Sequence, residues 1–575
     1  ADVVLNRTLT ANIGASGDVA ITGGVSGGGG LTKTGAGVLT LSGPGAYTGF
    51  TAVNAGTLRA GAANAFGPTS ATTVAPGATL DLNGFNQAIG SLAGAGNITL
   101  GSANLTINQG ATTFSGQISG DGGSLTSNIG VNARTILTGD NSYTGGTRVS
   151  SGQLQVGDFN AAGGAIIGPA TIDNGALLVL YCNNANEGGK CSDSTTGSGT
   201  FSGAVNNNGT LQTDGHGTLT LSGAITGDGK VITTLGTTVL TANNSYLGIT
   251  QNLSGVLQVG AGGTTGSMGA GDVFINATLL FNRSNELIVN SKISGIGQIQ
   301  QIGSGTTVLA ADNDYTGATS VAVGTLQVGN GTSSGSLGKT SSITVSSGAT
   351  LDIRQSDTFI MPQSIDGGGA LRQSGSGTTI ISNQQLYTGG TSITAGILQI
   401  GDGGSIKGDV STEAGGTLAF NRSLATTFTG NILGGGAVHQ IGTGALTLTG
   451  DNTYSGGTII DTSRTLQIGD GHDTGALGDG PVRDDGSLIF NRTGVLTVRG
   501  AISGTGAVTQ DGPGTTVLAA NNDYSGDTTI WAGALQLGEG GDTGTLRNTA
   551  KVDIQNIGAA LSFNGGNTLV FDRFI

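Results

Sequence analysis

The chain has 575 residues, of which 112 are glycine and only 10% are charged, with a formal net charge of −14. Its 21 Lys and Arg are spread thinly and make no basic stripe, which excludes nucleic acids and anionic membrane surfaces as partners. No apolar run approaches the roughly 20 residues of a membrane-spanning helix. The start, Ala1-Asp2-Val3-Val4, has neither the basic nor the apolar region of a signal peptide, so that a signal is either already removed or was never there.

Helix-forming surface residues are scarce, whereas strand formers (Thr, Val, Ile) and turn formers (Gly, Asn, Ser) abound. Glycine this frequent without a collagen period can mean disorder. Here apolar residues recur at fixed offsets from glycine: Gly324 precedes Leu326 and Val328, Gly396 precedes Leu398 and Ile400, and Gly533 precedes Leu535 and Leu537. That is period-two strand alternation launched from a turn.

In chain order, a phrase Tyr-(Thr/Ser/Leu)-Gly followed by Thr-rich alternation appears at Tyr47, Tyr143, Tyr246, Tyr315, Tyr387, Tyr454 and Tyr524. Subtraction gives intervals of 96, 103, 69, 72, 67 and 70 residues. A second marker keeps step in the later part, at Phe281-Asn282-Arg283, Phe420-Asn421-Arg422 and Phe490-Asn491-Arg492. Two markers in one register make this a repeat protein, in which each unit packs on its neighbours.

Residues 246–575 are therefore expected to be regular repeats, and 1–245 a less regular stretch of the same architecture with extra coils and loops. Each unit of roughly 70 residues divides into three coils averaging about 23, with short strands joined at glycine corners. The predicted fold is all-β: a right-handed parallel β-helix of about 24 coils, a rod on the order of 115 Å at about 4.8 Å per coil, with the Tyr phrase at one corner of every third coil.

Cys182 and Cys191 are the only cysteines, with a run of polar turn formers between them. A disulfide closing a protruding loop is expected, which points to the periplasm or cell exterior; a pair of reduced thiols is the alternative. No third or fourth ligand has zinc spacing. His216 and His472 sit in Asp-Gly-His turns, and His439 occupies a slot filled elsewhere by Gln300, Arg372 and Thr509, an outward strand face; none suits a catalytic base.

Asp402, Asp470, Asp473, Asp479 and Asp542 gather after the Leu-Gln strands. They resemble fragments of a calcium nonapeptide, but read more simply as turns with an Asp cap. Arg283, Arg422 and Arg492, and with them Arg7, either hydrogen-bond local corner carbonyls or stay solvated, or else form a contact row for a glycan or carboxylate. Asp312 with Asp314 and Asp484 with Asp485 are the carboxylate pairs a polysaccharide-cleaving β-helix would need. The first pair lies in a turn where Asp, Asn and Thr interchange, and the second reads as a solvated turn.

The phrases Gly444-Ala445-Leu446-Thr447-Leu448-Thr449-Gly450-Asp451-Asn452-Thr453-Tyr454-Ser455-Gly456-Gly457-Thr458 and Gly35-Ala36-Gly37-Val38-Leu39-Thr40-Leu41-Ser42-Gly43 resemble the autotransporter-associated β-strand repeat of Gram-negative type V passenger domains. The resemblance spans nearly the whole chain. It implies a right-handed β-helix exported through the periplasm to the cell surface by a C-terminal barrel. No barrel follows Asp572-Arg573-Phe574-Ile575, so a truncated passenger is expected, membrane-bound only through that barrel; the Gly-Asp-Ser-Gly motif of the family's serine proteases is absent.

The expected function is adhesion to host matrix protein or glycan, or self-association between cells in aggregation and biofilm, with contacts placed in the first 245 residues. A structural stalk presenting a functional region elsewhere is the alternative, and a polysaccharide-degrading enzyme a third. No catalytic residue, metal or cofactor is assigned.

Overall fold

The computed structural model describes residues 1–158, 164–182 and 198–566. Among these, 66 strands and no helix are found, and every strand pairing is parallel, each strand lying on its counterpart one coil away. The architecture is the right-handed parallel β-helix expected. The chain divides into two compact units, 1–303 and 304–575.

In the first unit, a single sheet of 14 strands runs from Leu9–Asn12 to Ile293–Ser294. Its neighbouring sheet stacks Leu39, Leu58, Leu80, Ile98 and Ile118 in one inward column, all essentially inaccessible. In the second unit, an eight-stranded sheet runs from Thr358–Ile360 to Ile502–Ser503 and a seven-stranded one from Thr426–Phe428 to Val552–Ile554. Inward columns such as Leu398, Leu418 and Val438 fill it. Alternation along each strand puts one residue in two inside, and each buried aliphatic side chain contributes about 1.5–3 kcal/mol before chain entropy is subtracted.

The coil count differs from expectation: about 27 turns, not 24. Coils are on average shorter than a third of the repeat. Leu80 pairs with Ile98 at an offset of 18, Thr350 with Ala370 at 20, and Thr325 with Thr350 at 25 where a loop intervenes.

The reason lies in how the repeat winds. Within the second unit, Thr319–Val321 shares a sheet with Ile343–Val345 and Ile365–Asp366. The equivalent strand one repeat later, Thr391–Ile393, lies instead on the sheet of Thr325–Val328, Thr350–Ile353 and Ala370–Gln373. The next, Thr458–Ile460, lies on a third sheet with Thr378–Ile381 and Ala437–Gln440. Three coils from Thr319 end near Leu386, whose N–H reaches the Ile365 carbonyl. Each repeat therefore advances three coils plus one strand, and successive Tyr phrases step around the coil. The single shared corner expected from the sequence is not what forms.

Candidate functional site

The Tyr phrase is an interior device. All seven tyrosines are buried, and each hydroxyl meets the Thr four residues on at 2.6–2.9 Å: Tyr47 with Thr51, Tyr143 with Thr147, Tyr246 with Thr250, Tyr315 with Thr319, Tyr387 with Thr391, Tyr454 with Thr458 and Tyr524 with Thr528. In three corners the Thr hydroxyl passes the bond to the coil above, to Ser70, Thr340 and Thr549. Burial pushes the Tyr387 and Tyr454 phenols up to about 12, so they stay neutral. The glycine two residues on lies against the coil below: a Cβ on Gly389 would come within 2.4 Å of the Gly369 carbonyl, and one on Gly526 within 2.1 Å of the Gly506 carbonyl oxygen.

Two residues before Tyr stands an Asn that sequence reasoning passed over. In Asp312-Asn313-Asp314, Asp451-Asn452-Thr453 and Asn521-Asn522-Asp523 the outer residues interchange and are exposed, while the middle Asn is constant and buried. Asn452 accepts from Ile432 N–H at 2.8 Å and donates to the Ala476 carbonyl at 2.7 Å, tying three successive coils. Asn141 and Asn244 do the same, to Ile118 and Ala165 and to Ile225 and Ser267. The signal was present: only the inward position of the triplet resists exchange.

The arginine row is structural, as the first of its two readings held. Arg283 donates to the Gly266 carbonyl at 2.9 Å, Arg422 to that of Gly404 at 2.8 Å, and Arg492 to those of Gly475 and Asp473. Each guanidinium thereby holds the protruding loop of the coil below, while Arg7 is exposed. Asp402 accepts from the N–H and hydroxyl of Ser423, at 2.7 and 3.0 Å, which holds its carboxyl below the usual range. It caps a corner between coils.

His439 lies on an outward strand face, 2.8 Å from Asp461, and His472 lies 2.8 Å from Asp470 in an exposed loop; that carboxylate bond raises the His472 pKa. His216 is exposed. Asp312 and Asp314 flank the buried Asn313 and point outward. The pair Asp484 and Asp485 is not a solvated turn: Asp484 is at an inward strand position and inaccessible, because the alternation of Val482–Asp484 places it in the interior. Asp485 is bound by Arg483 and the Thr505 N–H.

Cys182 is buried at the end of Leu177–Tyr181, and Cys191 lies outside the described residues. The bridge between them stays an expectation.

What remains for contact with other molecules is the outer surface. A cleft of about 470 Å³ is lined by Asn244, Leu247, Met268, Leu287, Ile288 and Asn290 in the first unit. Leu247 is 62% exposed, and Ile249 and Ile288 are also exposed. Trp531, the only tryptophan, is 46% exposed in the second unit. No helix among the described residues is long and apolar enough to cross a membrane.

Residues 31–60, 133–156, 299–328, 371–400, 438–468 and 508–537 match the passenger-associated-transport-repeat family. Each match ends on the second strand after a Tyr phrase, and six of the seven phrases are covered. The chain is 29% identical over 486 residues to the adhesin BmaC autotransporter of Brucella suis biovar 1, covering 72% of this chain and 13% of that protein. It is 28% identical over 277 residues to the uncharacterized lipoprotein YdeK of Escherichia coli K12, covering 43% of this chain and 20% of that one. The chain thus spans less than a quarter of either relative's length. No solved structure matches. Six transport repeats wound into a parallel β-helix, with similarity to part of an autotransporter, make this chain an autotransporter passenger region, placed at the cell surface or secreted through the outer membrane.

Proposed function

We propose that this passenger region is a non-catalytic adhesive surface: it binds host matrix protein or glycan, or the same region on a neighbouring cell. The observation that carries this reading is the division between inside and outside. Side chains of the repeat that could do chemistry are spent on stacking, as with Tyr454–Thr458, Asn452 and Arg422. The outer faces offer hydroxyls, amides and a few exposed apolar groups, Leu247, Ile288 and Trp531 among them. Such surfaces bind through many weak contacts summed by avidity. Similarity to an autotransporter adhesin over 72% of the chain supports the same reading.

The alternative is a stalk that presents a region elsewhere in a longer protein; it is favoured by the regular interior of the repeats after Tyr246. Display of this chain on a non-adherent cell separates the two. Binding to immobilised matrix proteins or glycans supports host adhesion, and clumping without such binding supports self-association. Neither binding nor clumping at full surface expression would leave the stalk. Turnover of a purified polysaccharide would contradict the non-catalytic reading.

A further inference from the structure

Asp484 is an inaccessible carboxyl with an incomplete set of bonds. Its Oδ1 accepts from the Gly486 N–H at 3.0 Å, while Oδ2 is buried with no hydrogen-bond partner. The coil above closes directly over it: a Cβ on Gly506 would lie 2.4–2.7 Å from the carboxyl atoms.

Other coils show what this slot is for. Asn207 occupies the same place, with its Oδ1 accepting from Gly209 N–H at 3.2 Å, and its Nδ2 donates to the Lys230 carbonyl of the coil above at 2.9 Å. Asn252 donates likewise to the Thr278 carbonyl at 2.7 Å, and Thr412 donates to an earlier carbonyl of the coil above, that of Leu433, at 2.8 Å. The backbone agrees: Gly229 N–H meets the Asn207 carbonyl and Gly506 N–H that of Asp484, both at 2.7 Å. In these three coils the slot holds a neutral donor aimed at the next coil; where the same glycine N–H meets the carbonyl of Val74, Ile275 or Val345 it holds an aliphatic side chain, and none of these carries a charge. Lys230 corresponds to Ala507, each N–H bonding the glycine carbonyl of the coil below at 3.0 Å.

We propose that Asp484 serves as a protonated, hydrogen-bond-donating acid between coils, its Oδ2–H given to the Ala507 carbonyl, and that loss of this proton makes the turns from Val482 to Val508 a pH-sensitive joint in the stack. A carboxylate in this slot would place two acceptors face to face without water, an arrangement costly enough to open the corner. Burial pushes the Asp484 carboxyl up to about 7, in the same sense.

The charged and titratable surroundings do not supply a cation. Asp485, next in sequence, adds like charge and is itself held by Arg483 on the outer face. Asp461 and Arg464 lie in the turn of the coil below, where Arg464 Nε donates to the Ile441 carbonyl. Tyr524 is buried nearby; burial raises its pKa first, and a negative Asp484 adds to the rise. The coil above, Ile502 to Ala507, contributes no titratable side chain.

The sign follows from linkage. The closed form keeps its proton up to about pH 7, whereas an opened Asp loses it near pH 4. Opening therefore releases a proton throughout that window and becomes about tenfold more favourable per pH unit, levelling off above pH 7. Asp485, whose pKa is lowered first by its Thr505 and Arg483 bonds, acts in the opposite direction and only below about pH 4.

Amide hydrogen exchange of the full chain tests this, with intrinsic rates corrected for pH. Protection of Val482–Phe490 and Ile502–Gln510 is expected to fall about fiftyfold from pH 5 to pH 7, while Gly396–Phe420 stays level. Asp484→Asn, which restores the sibling side chain, should abolish the pH dependence and retain high protection at pH 7; Asp484→Thr, the Thr412 solution, is the second variant if the first does not fold. A protonated carboxyl C=O stretch at pH 6, absent from either variant, is the independent readout. Protection in the native chain that is flat from pH 5 to 7, or a slope that persists in the variants, overturns the proposal.

Discussion

The corners at Tyr246 and Tyr387 are alike inside and unlike outside. Both bury a Tyr–Thr pair, at 2.7 and 2.6 Å, and both are preceded by an amide that accepts from an Ile N–H of the coil below, Asn244 from Ile225 and Gln385 from Ile365. Outside, the first corner carries Leu247 and Ile249 where the second has Thr388 and Gly390, and the nearby Ile288 stands where Thr427 and Thr497 stand in later repeats. Stacking demands nothing apolar at those outer sites. The interior is thus fixed by the next coil, while the exterior is free to vary with what the surface meets.

The comparison can be broken from the inside first. Tyr454→Ala should empty a fully buried site and cost about 3–5 kcal/mol, seen as a lower urea midpoint and lost exchange protection around Ile432–Ile468. Gly526→Ala should cost about 1–3 kcal/mol, because its Cβ meets the Gly506 carbonyl of the coil below; a neutral effect would show that the corner has room to shift. Asn452→Ala leaves the Ile432 N–H and Ala476 carbonyl without their shared partner, and a loss of about 1–3 kcal/mol is expected in the same unfolding assay. Tyr454→Phe, which keeps the ring but strands the Thr458 hydroxyl, should cost about 1 kcal/mol.

The smallest change in stability belongs to the outer face. Leu247→Thr with Ile288→Thr should alter stability by less than about 0.5 kcal/mol each. If instead they destabilise as Tyr454→Ala does, the distinction between inner and outer residues is wrong.

Much of this fold was legible because a repeat chain is its own alignment. Fixed offsets of Leu and Ile from glycine gave parallel strands, and the match of Tyr and Phe-Asn-Arg markers gave the repeat. The winding was not legible: a period near 70 is compatible with three coils or with three coils and a strand, and only the register of Thr319, Thr391 and Thr458 on three different sheets separates them. The surface chemistry was partly legible. Arg422 and Asp402 were read correctly as corner residues, but Asp484 was misplaced, since a strand of three residues, Val482–Asp484, leaves too little alternation to tell inside from outside. Its two neighbours in sequence, Arg483 and Asp485, are charged and suggest a solvated turn that the inward position overrides.

The account rests on the claim that the interior builds and the exterior binds. The most direct test compares cells displaying the native chain with cells displaying Leu247→Thr/Ile249→Ala/Ile288→Thr at equal surface density, scored for adherence and clumping alongside the unfolding midpoint of each purified chain. Adherence or clumping is expected to drop severalfold while the midpoint stays unchanged. Undiminished adherence with the outer face altered, or a midpoint that falls with it, would contradict the claim.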